Sequence, residues 1–191
     1  ALAGTYANGW ESLRHGAFQV ASILTSTGFS TAVFAEWPLY LPLLLVTLSF
    51  IGGCAGSTAG GIKVVRIQLL GKLGLRQLHQ LAHPQAVSPL KLGRRPVSDQ
   101  ILFSVWGFYV LYISTTLLLT MAMMGAGLDF LSAFGAVQAT INLTGPGLGK
   151  VAVTYAEVSD TVKWLGVFGM LVGRLEVFTL LILFLPAYWR H

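Results

Sequence analysis

Residues 51–63 read IGGCAGSTAGGIK, and they follow fifteen residues, Trp37 to Ile51, without a charge. Positions 52–61 hold five glycines (Gly52, Gly53, Gly56, Gly60 and Gly61), and the rest are small: Cys54, Ala55, Ser57, Thr58 and Ala59. Glycine costs a helix about 1 kcal/mol relative to alanine, so the hydrophobic helix unwinds here. At membrane depth, non-helical backbone survives only where protein buries it or where it lines a water-filled cavity. The stretch is not a phosphate loop, because Ile62 separates Gly61 from Lys63 and Val64 follows the lysine. It is not a rhomboid-type serine site either: Thr58 follows Ser57, and His15, His79, His83 and His191 lie outside the apolar segments. No enzymatic chemistry is expected. Gly56 with Gly60, and Gly169 with Gly173, have the spacing of close helix packing. Five glycines in ten residues exceed what packing needs, so 52–61 reads as a flexible segment lining a cavity.

The whole chain belongs to a membrane. Hydrophobic residues make up 54% of its 191 positions and charged residues 10%, against about 25% charged in soluble domains; the mean hydropathy is +0.71. Ile101 to Leu128 carries no charge, and Val162 to Pro186 carries only Lys163, Arg174 and Glu176. Both exceed the roughly 20 residues of a spanning helix. Trp37 to Ile51 reaches only about 22 Å, so it crosses only if 52–61 and Ile62 to Leu75 continue it. The count is three crossings, the first one broken. Cys54 is the single cysteine, which excludes an internal disulfide, and reads as a small packing residue. The opening ALAGTYANGW has no signal-peptide pattern, and the chain is expected to be truncated at its N-terminus or to be one part of a larger protein.

Seven of the twelve Lys and Arg residues (Lys63, Arg66, Lys72, Arg76, Lys91, Arg94 and Arg95) fall in one segment, and no acidic residue lies between Glu36 and Asp99. The positive-inside rule makes this segment cytoplasmic. The start of the chain is then outside and the terminal YWRH inside. Glu11, Glu36, Asp129, Glu157 and Asp160 map to the outer side. The basic run is a topology signal with room for a cytoplasmic partner or anionic lipid, not a nucleic-acid patch.

Two segments are too short or too polar to cross: Trp10 to Thr27 and Asp129 to Leu143. Both read as short amphipathic helices, ending in TSTGFS (25–30) and NLTGPG (142–147). Each turn carries Thr-Gly followed by a ring: Thr27, Gly28 and Phe29, then Thr144, Gly145 and Pro146. The order is short helix, turn, crossing, basic loop, crossing, short helix, turn, crossing. A short helix entering from outside aims its partially negative C-terminus at the membrane middle, and the carbonyls of the turn can replace a cation's hydration shell. Arg174, about 20 Å into the last crossing by helix rise, is expensive there and by default functional. Glu176, two residues on, does not share its helix face.

The segments GGCAGSTAGGIKVVR, ILTSTGFSTAVFAEWP, NLTGPGLG and GRLEVFTLLILFLPAYW together resemble the C-terminal half of TrkH-type potassium uptake proteins, in the superfamily that includes KtrB and the plant HKT transporters. The resemblance implies an all-α membrane protein of crossing–pore-helix–crossing repeats, with re-entrant filter loops around a pore. Four repeats surround one pore, and pores pair as homodimers in the bilayer. Residues 1–97 would be the third repeat lacking its first crossing: pore helix 10–27, filter 25–30, broken crossing 37–75, basic loop 76–97. Residues 98–191 would be the fourth: crossing 99–126, pore helix 129–143, filter 142–147, crossing 161–188. Thr27, Gly28, Phe29, Thr144, Gly145 and Pro146 would form part of the filter, with potassium held by the carbonyls of Gly28 and Gly145. Gly52, Gly53, Gly56, Ser57, Thr58, Gly60, Gly61 and Arg174 would form a gate. The implied function is potassium transport across the bacterial inner membrane, with no covalent cofactor and with potassium as substrate. A cytoplasmic nucleotide-binding ring of TrkA type and the N-terminal half of the same pore are the implied partners. The alternatives are a sodium-coupled or weakly selective cation pathway and a non-conducting half that completes another chain's pore.

Overall fold

The computed structural model describes all residues except 1–4, 7, 39, 55, 58, 84–89, 94, 176–188, 190 and 191. Six helices are described: α1 (Gly9–Leu24), α2 (Leu41–Ile51), α3 (Val64–Ala82), α4 (Asp99–Gly125), α5 (Phe130–Ile141) and α6 (Asp160–Leu175). A two-residue antiparallel ladder, β1 (Lys91–Leu92) with β2 (Arg95–Pro96), is the minor exception to an all-α chain.

Among the described residues, only α4 is long and apolar enough to cross a bilayer unaided. Its 27 residues extend about 40 Å. Its inner face is read at helical spacing: Leu102, Val105, Phe108, Tyr112, Thr116, Leu119 and Met123 are buried. Its threonines are accommodated by their own helix, the hydroxyls of Thr116 and Thr120 donating one turn back to the carbonyls of Tyr112 (2.8 Å) and Thr116 (2.7 Å). The far face leaves Phe103, Trp106, Leu117, Leu118 and Met121 exposed.

The segment expected as a broken crossing, 37–75, contains two helices. Helix α2 starts with Pro42 in its first turn, where a missing N–H costs nothing, and ends at Gly52 as soon as the glycines begin. Helix α3 resumes at Val64 and runs to Ala82, so the first residues of the expected basic loop, 76–82, are helical. This is physically reasonable: KVVRIQLLGKLGLRQLHQLA is rich in good helix formers and buries Leu69 and Leu73 on one face. The expected crossing 161–188 is described as far as Leu175; its remainder lies outside the described residues. Cys54 is exposed rather than packed.

Helix α5 is the centre of the fold. Nine of its residues, from Ser132 to Ile141, are buried, and it packs against α2, α4 and α6. Asp129 caps it, accepting the Ser132 N–H at 3.2 Å; this bonding to Ser132 holds the Asp129 carboxyl below the ordinary range. The main core lies between α4, α5 and α6 around Met123, Ala133, Val137 and Val162. A second core joins α1 and α2 through Ile23, Phe34, Trp37, Leu45 and Val46, and takes in Leu148 from the segment after α5.

Met123 is fully buried while Met121 is 70% exposed. Truncating a buried Met costs about 2–5 kcal/mol. Met123→Ala is therefore expected to lower the unfolding midpoint of the complete protein in detergent, and Met121→Ala to leave it nearly unchanged.

Candidate functional site

Helices α1 and α5 end in the same way, residue for residue. Thr25 and Asn142 are right-handed caps. Ser26 and Leu143 follow with positive φ, 53° and 58°. The Ser26 and Leu143 N–H groups donate to Ile23 and Thr140, at 3.2 and 3.3 Å; those of Thr27 and Thr144 donate to Ser22 and Ala139, at 2.9 and 3.1 Å. This pair of bonds is the Schellman ending, in which a left-handed residue lets the chain turn back over its last carbonyls. Glycine usually occupies that position, and a left-handed serine or leucine costs roughly 1–2 kcal/mol. The shared strain marks the two turns as one device used twice. Two residues later come Gly28 and Gly145, again left-handed, at φ 79° and 86°, a conformation open to glycine.

The two turns meet. A methyl group on Gly28 would lie 2.7 Å from the Thr144 carbonyl oxygen, whereas one on Gly145 would meet nothing within 4 Å. Both glycines line one cleft of about 570 Å³, together with Ser30, Thr31, Pro146 and Tyr155. Burial pushes the Tyr155 hydroxyl up to about 12. Neither α1 nor α5 has a basic residue in its last turn, so no cationic side chain in those turns offsets the partial negative charge of the two helix ends.

The remaining residues of the turns are held differently on the two sides. Phe29 has an exposed ring, and its carbonyl accepts the Ser22 hydroxyl at 2.6 Å. Gln19, buried on α1, donates to the Ser30 hydroxyl and the Ala32 carbonyl, both at 2.5 Å. Thr27 is exposed, its hydroxyl 2.6 Å from that of Thr25. Thr144 is buried, and its hydroxyl accepts from Gln138 at 3.0 Å.

The glycine stretch lies against the carbonyl ends of both short helices. A methyl on Gly52 would be 2.8 Å from the Leu24 carbonyl oxygen; one on Gly60 would be 2.5 Å from the Asn142 oxygen and 2.7 Å from that of Ile141. The loop is closed at its base by Ile62 N–H to Phe50 C=O (3.0 Å) and Val64 N–H to Gly53 C=O (3.2 Å). Inside it, Ser57 accepts the Ala59 N–H at 3.1 Å. Gly53 and Gly61 have positive φ, and a side chain at Gly56 would meet open space. Thr58 lies outside the described residues. Gly173 on α6 presses on the Ile141 carbonyl from the other side, so Arg174 follows directly on a residue that shares its contact with Gly60. Arg174 is exposed on the surface of this chain, not enclosed. Its sequence neighbour Glu176 lies outside the described residues.

Sequence reasoning missed a buried polar cluster between these parts, made of Ser49, Tyr112, Gln138 and Asn142. Its signal was present: Gln138 and Asn142 sit one turn apart on an otherwise apolar helix.

The family model for TrkH, described as a cation transport protein, matches residues 4–191. The chain is 47% identical over 186 residues to the Trk system potassium uptake protein TrkH of Vibrio parahaemolyticus, covering 97% of this chain and 38% of that protein. Against TrkH of Escherichia coli K12 the identity is 48%, with the same coverage. Against TrkG of the same organism it is 39%, covering 92% of this chain and 36% of the relative. Among solved structures, the crystal structure of the potassium transporter TrkH from Vibrio parahaemolyticus superposes with a TM-score of 0.90 at 47% identity, over 97% of this chain and 40% of that one. That likeness carries the all-α membrane fold. The chain thus spans about two-fifths of the length of these relatives.

The loop contacts are separable by mutation. Gly60→Ala places a methyl into the backbone at the end of α5, and overpacking of this kind typically costs about 1–3 kcal/mol; Gly56→Ala meets open space. Thermal unfolding of the complete protein is expected to fall for Gly60→Ala and to stay close to the parent for Gly56→Ala.

Proposed function

The chain belongs to the TrkH family of cation transport proteins, and from that premise we propose that it forms part of a potassium-selective pore in the bacterial inner membrane. The observation that carries the reading is the pair of identical helix endings, which bring Gly28 and Gly145 to one cleft. In this proposal residues 1–97 are a third pore repeat without its first crossing and 98–191 a fourth. Helices α1 and α5 are the pore helices. Thr27, Gly28, Phe29, Thr144, Gly145 and Pro146 contribute to the filter, with the Gly28 and Gly145 carbonyls on the ion. The Phe29 carbonyl, already bonded to Ser22, holds the turn rather than the cation. The remaining filter turns come from the rest of a longer protein of the length its relatives have. The exposed Trp10, Leu13 and Phe18 of α1 suit a face that such a neighbour covers.

The proposed work is ion transport rather than covalent chemistry. The stretch from Gly52 to Gly61, with Ser57 and Thr58, forms the gate with Arg174. The loop is closed at its base by backbone bonds, and a side chain at Gly56 would meet open space, so in this proposal the stretch moves while its ends stay packed under the pore helices. Arg174 supplies positive charge. At about 6 Å and an effective dielectric near 20, it repels a monovalent cation by roughly 3 kcal/mol, which loop motion can relieve. The relatives are named as members of a Trk system; a nucleotide-binding ring of TrkA type on the basic cytoplasmic side and a homodimer of complete pores complete the assembly.

Potassium and sodium flux into liposomes containing the complete protein tests both parts. Gly28→Ser is expected to lower the potassium-to-sodium ratio, because its side chain is forced onto the Thr144 carbonyl. Arg174→Ala is expected to raise potassium flux in the absence of the cytoplasmic ring. An unchanged ratio in the first variant removes Gly28 from the filter. Loss of flux in a correctly inserted second variant makes Arg174 part of the conducting scaffold. Equal potassium and sodium flux in the parent protein favours a weakly selective pathway.

A further inference from the structure

We infer that Ser49, Gln138, Asn142 and Tyr112 are positioning residues for ion selectivity, fixing the buried filter turn from behind. The inference rests on the filter reading above. It starts from the hydrogen-bond capacity of a single hydroxyl. Ser49, fully buried at the end of α2, gives its hydrogen to the Val46 carbonyl at 2.6 Å. It can then only accept, and it has room for two bonds. Both places are filled, by the side-chain amides of Gln138 and Asn142, each at 2.7 Å. With Ser49 accepting, the Gln138 amide presents its nitrogen to it.

The second N–H of Gln138 reaches the Thr144 hydroxyl in the filter turn, at 3.0 Å. Its oxygen, buried, has no hydrogen-bond partner among the described residues. A buried amide that leaves its acceptor bare is uncommon; here both donors are committed to placing two hydroxyls.

Asn142 is the junction. Its side-chain oxygen accepts the Tyr112 hydroxyl from α4, and its main-chain carbonyl accepts the Ser26 hydroxyl of the other turn at 3.1 Å. Gly60 of the glycine stretch packs on that same carbonyl. One buried amide therefore touches both filter turns, the gate loop and two crossings. Apart from the Gln138 oxygen the bonds of this cluster are made, made bonds of a buried chain hold their groups in place, and ion discrimination by carbonyls depends on where those carbonyls are held. Loosening the cluster should let the Thr144–Gly145 backbone shift and accommodate the smaller cation.

Potassium and sodium fluxes of the complete protein in liposomes, with folding checked by thermal unfolding, test this. Ser49→Ala and Tyr112→Phe are each expected to lower the potassium-to-sodium ratio about fivefold, the weight of one net hydrogen bond, while potassium flux is retained. Ser49→Thr, which keeps the hydroxyl, is expected to restore the ratio. Ser104→Ala, which removes an exposed hydroxyl bonded within α4, should leave it unchanged. Tyr112→Phe removes an oxygen and almost no volume, so it decides the matter if Ser49→Ala does not assemble. Gly28→Ser is run alongside. If that variant lowers the ratio while the cluster variants keep it, or lose both fluxes in equal proportion, the inference is overturned and the filter reading stands. If Gly28→Ser leaves the ratio unchanged, the filter reading falls and this inference falls with it.

Discussion

The carbonyl end of α5 is the point on which the rest of this structure depends. A helix leaves its last four carbonyls without partners inside the helix. Here hydrogen bonds from the chain answer three of them. The Ala139 oxygen takes the Thr144 and Gly145 N–H groups, and that of Thr140 takes Leu143. The oxygen of Asn142, the capping residue, takes the Ser26 hydroxyl. The Ile141 carbonyl instead lies where a side chain at Gly60 or Gly173 would strike it. Any side chain at either position would push the glycine stretch or α6 off this end. Small residues at 60 and 173 are thus two halves of one packing solution around a single peptide.

That solution explains why the glycine stretch is fixed at its ends. Gly52 lies under Leu24 and Gly60 under Asn142, so the stretch bridges the ends of both short helices. Between these contacts a side chain at Gly56 would meet open space.

Much of this was legible in the sequence because the signals were local. The charge-free run at 101–128 became α4, and the break after Ile51 became a loop because five glycines cannot hold a helix at membrane depth. The repeated Thr-Gly placed Gly28 and Gly145 in the same slot. The parts that were not legible depend on tertiary context. Ser26 and Leu143 take left-handed conformations that neither residue type announces; the Schellman bonds that compensate are visible only once the turns exist. Helix α3 runs on to Ala82 because Leu69 and Leu73 find a groove on α4, where charge alone suggested a loop. The depth of Arg174 along its helix was readable, but not the direction it faces. Gln138 and Asn142, polar residues one turn apart at the end of α5, were passed over, because a helical pattern cannot name partners on α2 and α4.

The two turns share a backbone and differ in how they are supported, and the difference follows from packing. Helix α5 is enclosed by α2, α4 and α6, so its turn is held by side chains with almost no exposure: Gln138, Asn142, Thr144 and Ser49. Helix α1 packs chiefly on α2 and buries only Gln19, Ser22 and Ile23, so its turn leans on a shorter set of bonds from Gln19 and Ser22 and leaves Thr27 exposed. The first turn borrows the stability of the second. Ser26 bonds to the end of α5, and Gly28 rests on the Thr144 carbonyl. A displacement of either turn is therefore transmitted to the other through the Ser26–Asn142 bond and the Gly28–Thr144 contact, and the α5 turn, the more deeply buried, is the stiffer of the two. The geometry of the pair is set from the α5 side.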